Sequence, residues 1–381
     1  MFCAGLATFA QLYSPQAVLP AISADLAVPP ARAALLVSTS TGGLALSVVL
    51  WSWAADRWGR IRTMIVALAL ASLSGLGVPL LDDFTAMAAL RFVEGACLAG
   101  VAGVAVAHIA EETHPAAMTA ATGLYISGTS IGGLSGRLVS GPLTDLTGSW
   151  RLGVGAVVGL SALAAVAFAV LVPPSRRFVP ERSSLVEATR RAVGHLRNRR
   201  LVIVFVQAFC LMGAFVTVYN YIGFHLEAPP FGLSPTITSL LFLSYLAGTW
   251  SAQTAGRFAV RIGRRRVLLA STALMPAGLV LTLVPTVATV VIGLVVLTAG
   301  FFAGHAVASA LGGSLATEGR VQATALYNLF YYLGSSILGW SGGYVYEYAG
   351  WPALAAFCAV FLAAAMVSAG SGLRTAPGTR P

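Results

Sequence analysis

The sequence predicts an all-α integral membrane protein: twelve transmembrane helices in two six-helix bundles related by a pseudo-two-fold axis, with both termini cytoplasmic. Three observations carry this expectation. The 381 residues are 57% apolar and only 9% charged, where soluble domains carry roughly 25% charged residues. Apolar runs of membrane-crossing length, about 20 residues, follow one another along the whole chain. A loop signature in the first half also recurs 204 residues later. Such a composition excludes a cytosolic enzyme, a nucleic-acid-binding protein and a secreted disulfide scaffold.

Gly, Pro and charge divide the first half into runs near 2–21, 33–54, 62–81, 85–109, 119–142 and 151–172. The second half reads 201–224, 236–256, 267–284, 286–312, 322–345 and 350–370. The expected domains are a bundle over 1–172, a basic linker over 173–200, and a bundle with a short cytoplasmic tail over 201–381. The first run lacks a basic leader and reads as a span rather than a cleaved signal.

The net charge is +10, and all 23 basic residues are arginines. With both termini inside, 19 of them fall in inner loops and the tail, against Arg32 and Arg151 outside, with Arg91 and Arg137 within spans. That bias follows the positive-inside rule and supports the span count and orientation together. In the linker, Ser184 to Glu187 reads as a capping box. Leu185, Thr189, Ala192, Val193 and Leu196 then recur at helical spacing opposite Arg190, Arg191 and Arg197. Either an amphipathic helix on the anionic inner leaflet or a solvated tether fits. Cys3, Cys97, Cys210 and Cys358 lie far apart in apolar runs, as buried free thiols do.

The repeated loop reads Ser52-x-x-x-Asp56-Arg57-x-Gly59-Arg60-x-Arg62 and then Gly256-x-x-x-Val260-Arg261-x-Gly263-Arg264-Arg265. Later in each half, Gly128 to Gly136 corresponds to Gly334 to Gly342. Parallel six-span repeats place a substrate site between the halves. The chain resembles the major facilitator superfamily over essentially its whole length. Its loops resemble that family's GxxxDRxGRR motif, with Ser52 for the first Gly and Ile61 for the last Arg. Arg91-Phe92-Val93-Glu94-Gly95 resembles RxxQG, with Glu94 where Gln is usual. Gly128-Thr129-x-x-Gly132-Gly133 resembles the exporters' GPxxGG, with Thr129 for the proline. Tyr13-Ser14-Pro15, Val18 to Ile22 and Ser135-Gly136-Arg137 are most similar to the twelve-span drug and metabolite efflux branch, and within it to YnfM-type transporters.

Polar residues inside the spans are the candidate site. A charge at the bilayer centre costs roughly 2.5–3.5 kcal/mol on insertion scales, so such groups face the bundle interior or pair. Arg91 and Glu94 share a helix face. They form either a pair that opens when Glu94 takes a proton, or a permanent ion pair pinning span 4. Span 1 offers Gln11 but no acid. Arg137 either binds an anionic group of the solute or pairs with Asp145 or another outer carboxylate. His305 reads as a neutral, hydrogen-bonded imidazole or as a titrating one, and His108 and His114 as solvated interface groups. The resemblance implies that spans 1, 7, 8 and 11 line a central cavity, which makes Gln11, Tyr13, Gln207, Tyr219, Asn220, Tyr245, Asn328, Tyr331 and Tyr332 its candidate lining, with Arg137 of span 5 a further candidate. For any one of the uncharged residues an interhelical hydrogen bond or interface anchoring fits equally. It also implies a conformational latch of Asp56, Arg57, Gly59, Arg60, Arg261, Gly263 and Arg264. Glu111 and Glu112 are available partners for Arg57 and Arg60, and Val260 leaves the second loop without its acid. The same arginines also serve topology alone.

The expected function is secondary transport by alternating access, exporting small amphiphilic solutes in exchange for protons; the alternative is a carrier of an organic anion or metabolite. No HExxH, GxSxG or Ser–His constellation points to an enzyme, and a chain without lysine has no Walker-type GxxxxGK[ST]. The expected partners are a small-molecule substrate and membrane lipids, with no nucleic acid. No cofactor or metal is expected beyond the proton gradient, and the chain is expected to act as a monomer in the bacterial inner membrane.

Overall fold

The computed structural model describes residues 1–175, 178, 189–190, 193–316 and 319–373. The first half holds α1 (Phe2–Leu12), α2 (Leu19–Asp25), α3 (Pro30–Trp58), α4 (Arg60–Gly77), α5 (Phe84–Ala102), α6 (Ala105–Glu112), α7 (Met118–Thr147) and α8 (Trp150–Leu171). The second half holds α9 (Arg199–Glu227), α10 (Pro235–Leu240), α11 (Tyr245–Ile262), α12 (Arg264–Leu281), α13 (Val287–Leu315) and α14 (Arg320–Gly372). Seven segments among the described residues are long and apolar enough to cross a membrane. The Ser184 to Glu187 capping box, Leu185, Arg191 and Ala192 lie outside the described residues, while Thr189, Arg190 and residues 193–195 are helical.

Several runs read as continuous are interrupted. The first breaks after Leu12 and passes through a 3₁₀ turn, Gln16–Val18, before α2. Pro15 has no amide to donate to a continuing helix and disfavours helical geometry at the residue before it. The fourth run divides at Gly103 into α5 and α6. The eighth begins as the six-residue α10 and continues through a 3₁₀ turn, Leu241–Ser244, into α11. The last two runs join as α14, bent where Gly350 adopts φ +70° and ψ −165°.

The chain forms two compact units. One comprises Met1–Leu185 with Tyr219–Phe242, the other Val186–Val218 with Leu243–Pro381. In the first, Gly128, Gly132 and Gly136 on α7 abut the α1 backbone at Phe2, Leu6 and Ala10, so closely that any Cβ would collide there. In the second, Gly334 on α14 abuts the Phe209 backbone on α9 in the same way, and Gly342 meets Thr217. Between these two contacts Leu338 occupies the space that Gly213 leaves open. Small residues at a regular spacing let helix backbones approach where lipid supplies no hydrophobic drive.

The repeat is equally visible in the loops. Gly59 ends α3 with φ +92° and ψ 141°, and Gly263 ends α11 with φ +94° and ψ 139°. Each makes a tight corner in a conformation that L side chains avoid. In the second unit, Arg265 donates to the carbonyls of Ala369 (3.4 Å) and Gly370 (2.6 Å), satisfying the last turn of α14.

Candidate functional site

The interruption of the first span generates the buried ionic centre. Ending α1 at Leu12 leaves its last carbonyls short of helical partners, Gln11 O taking a turn bond from Ser14 N at 3.1 Å, and such groups cannot be left bare inside a bundle. Arg91 on α5 answers them: Nη1 donates to Gln11 O at 3.2 Å and Nη2 to Leu12 O at 2.7 Å. Its Nε donates to Leu36 O at 2.8 Å, and Nη1 also donates to Glu94 Oε2 at 2.6 Å. Arg91, Glu94 and Gln11 are 1%, 0% and 0% exposed. With the Gln11 amide nitrogen turned toward its acceptors, it donates to Ala71 O and Glu94 Oε1, each at 3.2 Å. Gly75 makes room for the carboxylate, because a Cβ there would lie 2.9 Å from Glu94 Oε1. The i, i+3 pair expected from sequence is formed, and it is also the cap of a broken helix.

The two repeated loops hold their arginines differently. Arg60 lies 3.4 Å from Asp56 and grips Glu111 at the end of α6 with two nitrogens, Nε at 2.5 Å. Arg57 stacks on the Trp53 ring, 4.3 Å from its centroid. In the second loop Arg264 donates to the neutral Ser314 Oγ at 2.7 Å. Arg261 lines a surface recess with Thr254, Arg257 and Phe258. His108, expected in solvent, is 6% exposed beneath this first loop, because α6 turns its apolar face inward with Ile109. His114 lies in the exposed turn before α7, where Nδ1 accepts from Ala116 N at 3.3 Å.

Near the other end of the first unit, Arg137 is 2% exposed. Its Nε donates to Gln16 Oε1 at 2.8 Å and Nη1 donates to Gly133 O. The guanidinium lies 4.6 Å from the Tyr13 ring centroid and 4.8 Å from that of Phe242. Gln16 passes the polarity on, donating from Nε2 to Asn220 Oδ1 at 2.7 Å. Tyr219 packs on Phe242 at 5.1 Å. Asp145, two turns beyond Arg137, is engaged with Thr236 of α10. Arg137, Tyr13, Tyr219 and Asn220 thus form one cluster, with Gln16 and Phe242 as members that sequence reasoning missed. Gln16 lay unremarked within a presumed continuous helix. At the surface of this end, Asp25 accepts from Trp150 (2.8 Å) and from Arg151. These bonds hold the Asp25 carboxyl below its usual range.

In the second unit His305 is the centre of an aromatic group. Its Nδ1 is 2.9 Å from the Tyr327 hydroxyl, and its ring lies 4.7 Å from Tyr331 and 5.9 Å from Phe301. Phe301 stacks on Phe215 at 3.9 Å, and Phe215 meets Tyr245 at 5.4 Å. Tyr332 meets Tyr331 edge-on at 5.0 Å. Tyr245, His305, Asn328 and Tyr331 are half-buried. Gln207 is elsewhere: fully buried, it donates to Ala365 O (2.7 Å) and Ser368 Oγ (3.0 Å), joining α9 to α14. The cavity-lining expectation for Gln207 therefore gives way to an interhelical bond.

Two stretches, residues 1–229 and 222–380, match the family model described as Major Facilitator Superfamily. The chain belongs to the Major Facilitator Superfamily. Among relatives, the inner membrane transport protein YnfM of Escherichia coli (strain K12) is 40% identical over 369 residues, 96% of this chain and 88% of that protein. The uncharacterized MFS-type transporter YybF of Bacillus subtilis (strain 168) is 35% identical over 342 residues, 90% of this chain and 84% of that one. The fold is that of the D323A mutant of the nucleoside transporter NupG, with a TM-score of 0.78 at 17% identity, covering 96% of this chain and 98% of that structure. This major facilitator chain is thus a multi-pass membrane protein and a secondary transporter, not an enzyme.

Proposed function

We propose that the chain exports small amphiphilic solutes by alternating access in exchange for protons, with Glu94 as the proton carrier. One observation carries the reading: a carboxylate with no solvent exposure shares its counter-ion, Arg91, with three backbone carbonyls. A proton on Glu94 would remove the one anionic partner of a guanidinium whose other acceptors belong to α1 and α3. The break in α1 would then feel the proton directly. The half-buried aromatic group around His305 suits a flat, apolar solute with a hydrogen-bonding group, since Tyr327 occupies Nδ1 and leaves Nε2 for it.

The arginine bias supports twelve spans with both termini cytoplasmic and bundles over 1–172 and 201–381. The likeness to the inner membrane transport protein YnfM supports the inner membrane, and the resemblance of Gly128-Thr129-x-x-Gly132-Gly133 to the exporters' motif supports the efflux branch. In this reading the Arg60–Asp56–Glu111 group is a cytoplasmic latch, and the chain works as a monomer without a cofactor. A second reading, an organic-anion carrier, is favoured by the buried cation Arg137 between Tyr13 and Phe242.

Purified protein in proteoliposomes, given ligands found by thermal shift, tests both. Flux should follow an imposed pH gradient, and Glu94→Gln should abolish that dependence while ligand still shifts the melting temperature. Gradient dependence that survives Glu94→Gln removes Glu94 from the mechanism. Ligands confined to carboxylates, carried without regard to the gradient, would establish the second reading.

A further inference from the structure

The six-residue helix α10 is held in place by two carboxylates from different helices. From α7, Asp145 Oδ2 accepts from Thr236 Oγ1 at 2.5 Å and from the Thr236 amide at 3.4 Å. From the end of α9, Glu227 Oε1 accepts from Thr238 Oγ1 at 3.1 Å, a hydroxyl it shares with the carbonyls of Pro235 (3.1 Å) and Ser234 (3.2 Å). Between these bonds α10 lies directly on α7: a Cβ on Gly141 would stand 2.5 Å from Ser239 Cβ and 2.9 Å from Pro235 O. Ser239 is fully buried as a result. Two residues beyond α10, Phe242 covers the Arg137 guanidinium. The first compact unit ends at that residue, inside the 3₁₀ turn Leu241–Ser244.

Among the described residues no cation pairs with these carboxylates, with Arg137 engaged by Gln16 and Gly133 instead. The helix and its N-cap contribute only the Thr236 amide and the hydroxyls of Ser234, Thr236 and Thr238 to these carboxylates. His225, half a turn before Glu227 on α9, sits edge-on to Phe231 at 5.2 Å. Hydrogen bonds to a carboxylate are roughly twice as strong as those to its neutral acid. Those from Thr236 and Ser234 accordingly hold the Asp145 carboxyl below its ordinary range. Their contribution is complete above the ordinary carboxylate range and is lost as pH falls through the lowered value beneath it.

We propose that Asp145 and Glu227 are a proton-operated seat for α10: as carboxylates they clamp it over the Arg137–Gln16–Asn220 cluster, and protonation lets it lift. The transporter then carries a second proton-responsive element, at the end of the first unit remote from Gly59 and separate from Glu94. The proposal does not depend on Glu94 being the coupling group.

The reporter is Ser239→Cys in a background with the four native cysteines replaced, labelled by a membrane-impermeant thiosulfonate in proteoliposomes without substrate. Its rate is taken relative to Tyr348→Cys, a position 89% exposed, which cancels the pH dependence of thiol reactivity. Between about pH 8 and about pH 3, a window that reaches below the lowered Asp145 carboxyl, the ratio should rise roughly tenfold. Asp145→Asn with Glu227→Gln should give the high ratio at every pH. Thr236→Val with Thr238→Val, which keeps both acids and the Ser234 hydroxyl but removes the two threonine donors, should raise the ratio at neutral pH toward that value. A flat ratio in the parent, or the parent's pH profile persisting in the Asn/Gln pair, overturns the proposal. Since no flux is read, either result leaves the Glu94 test standing on its own.

Discussion

Arg91 shows how much a single side chain can hold when the helix beside it is broken. It places four hydrogen bonds on acceptors from α1, α3 and its own helix. Removing one partner of a buried ion pair typically costs about 3–5 kcal/mol, because the other charge remains buried and uncompensated. Arg91→Leu should therefore lower the unfolding temperature of the purified protein far more than Glu94→Gln, whose amide oxygen can still accept from the guanidinium. Equal melting temperatures for the two variants would show that the α1 carbonyls do not need the arginine. The Arg91–Glu94 pairing was legible from a spacing of three on one helix. The carbonyls that complete the site were not, because side-chain spacing says nothing about which distant backbone is left bare. Gln207 illustrates the converse: an amide in an apolar run looks the same whether it faces a cavity or, as here, the backbone of Ala365.

At the level of helices, the glycine seams were readable and the breaks were not. The spacing Gly128, Gly132, Gly136 announces close approach, and α1 lies against all three. Gly132→Leu would give α7 the residue that α14 carries as Leu338. There Gly213 leaves space for it, but here the Leu6 backbone does not. Overpacking of this kind costs typically 1–3 kcal/mol. Gly132→Leu should thus reduce thermal stability, whereas Leu338→Met, which nearly conserves volume, should leave it almost unchanged in the same measurement. Proline, the obvious marker of a break, was ambiguous for a physical reason. Pro15 coincides with the end of a helix, yet Pro142 and Pro276 sit inside α7 and α12. Only neighbouring helices decide whether the missing amide bond ends a helix or is tolerated within it.

For the molecule as a whole, the duplication visible in the sequence survives as matched corners at Gly59 and Gly263, with unmatched fastenings. The first loop is held by charge, Arg60 with Asp56 and Glu111; its counterpart rests on the hydroxyl of Ser314. Partly exposed ion pairs of this kind contribute only about 0–1 kcal/mol each and weaken with salt, which suits a fastening that must open in every cycle. Asp56→Asn should impair transport well beyond Val260→Asn at equal membrane abundance, and equal tolerance would leave these arginines a topological role alone. That asymmetry was legible from Val260, whereas Ser314 was not, since it lies 50 residues from the arginine it meets. The clasp of Arg265 on the carbonyls of Ala369 and Gly370 has a practical corollary. Trimming the polypeptide just past Leu373 spares that clasp and the Gln207 bond to Ala365. Any shorter version ending before Ala365 forfeits both, so a purification tag or fluorescent reporter belongs downstream of residue 373.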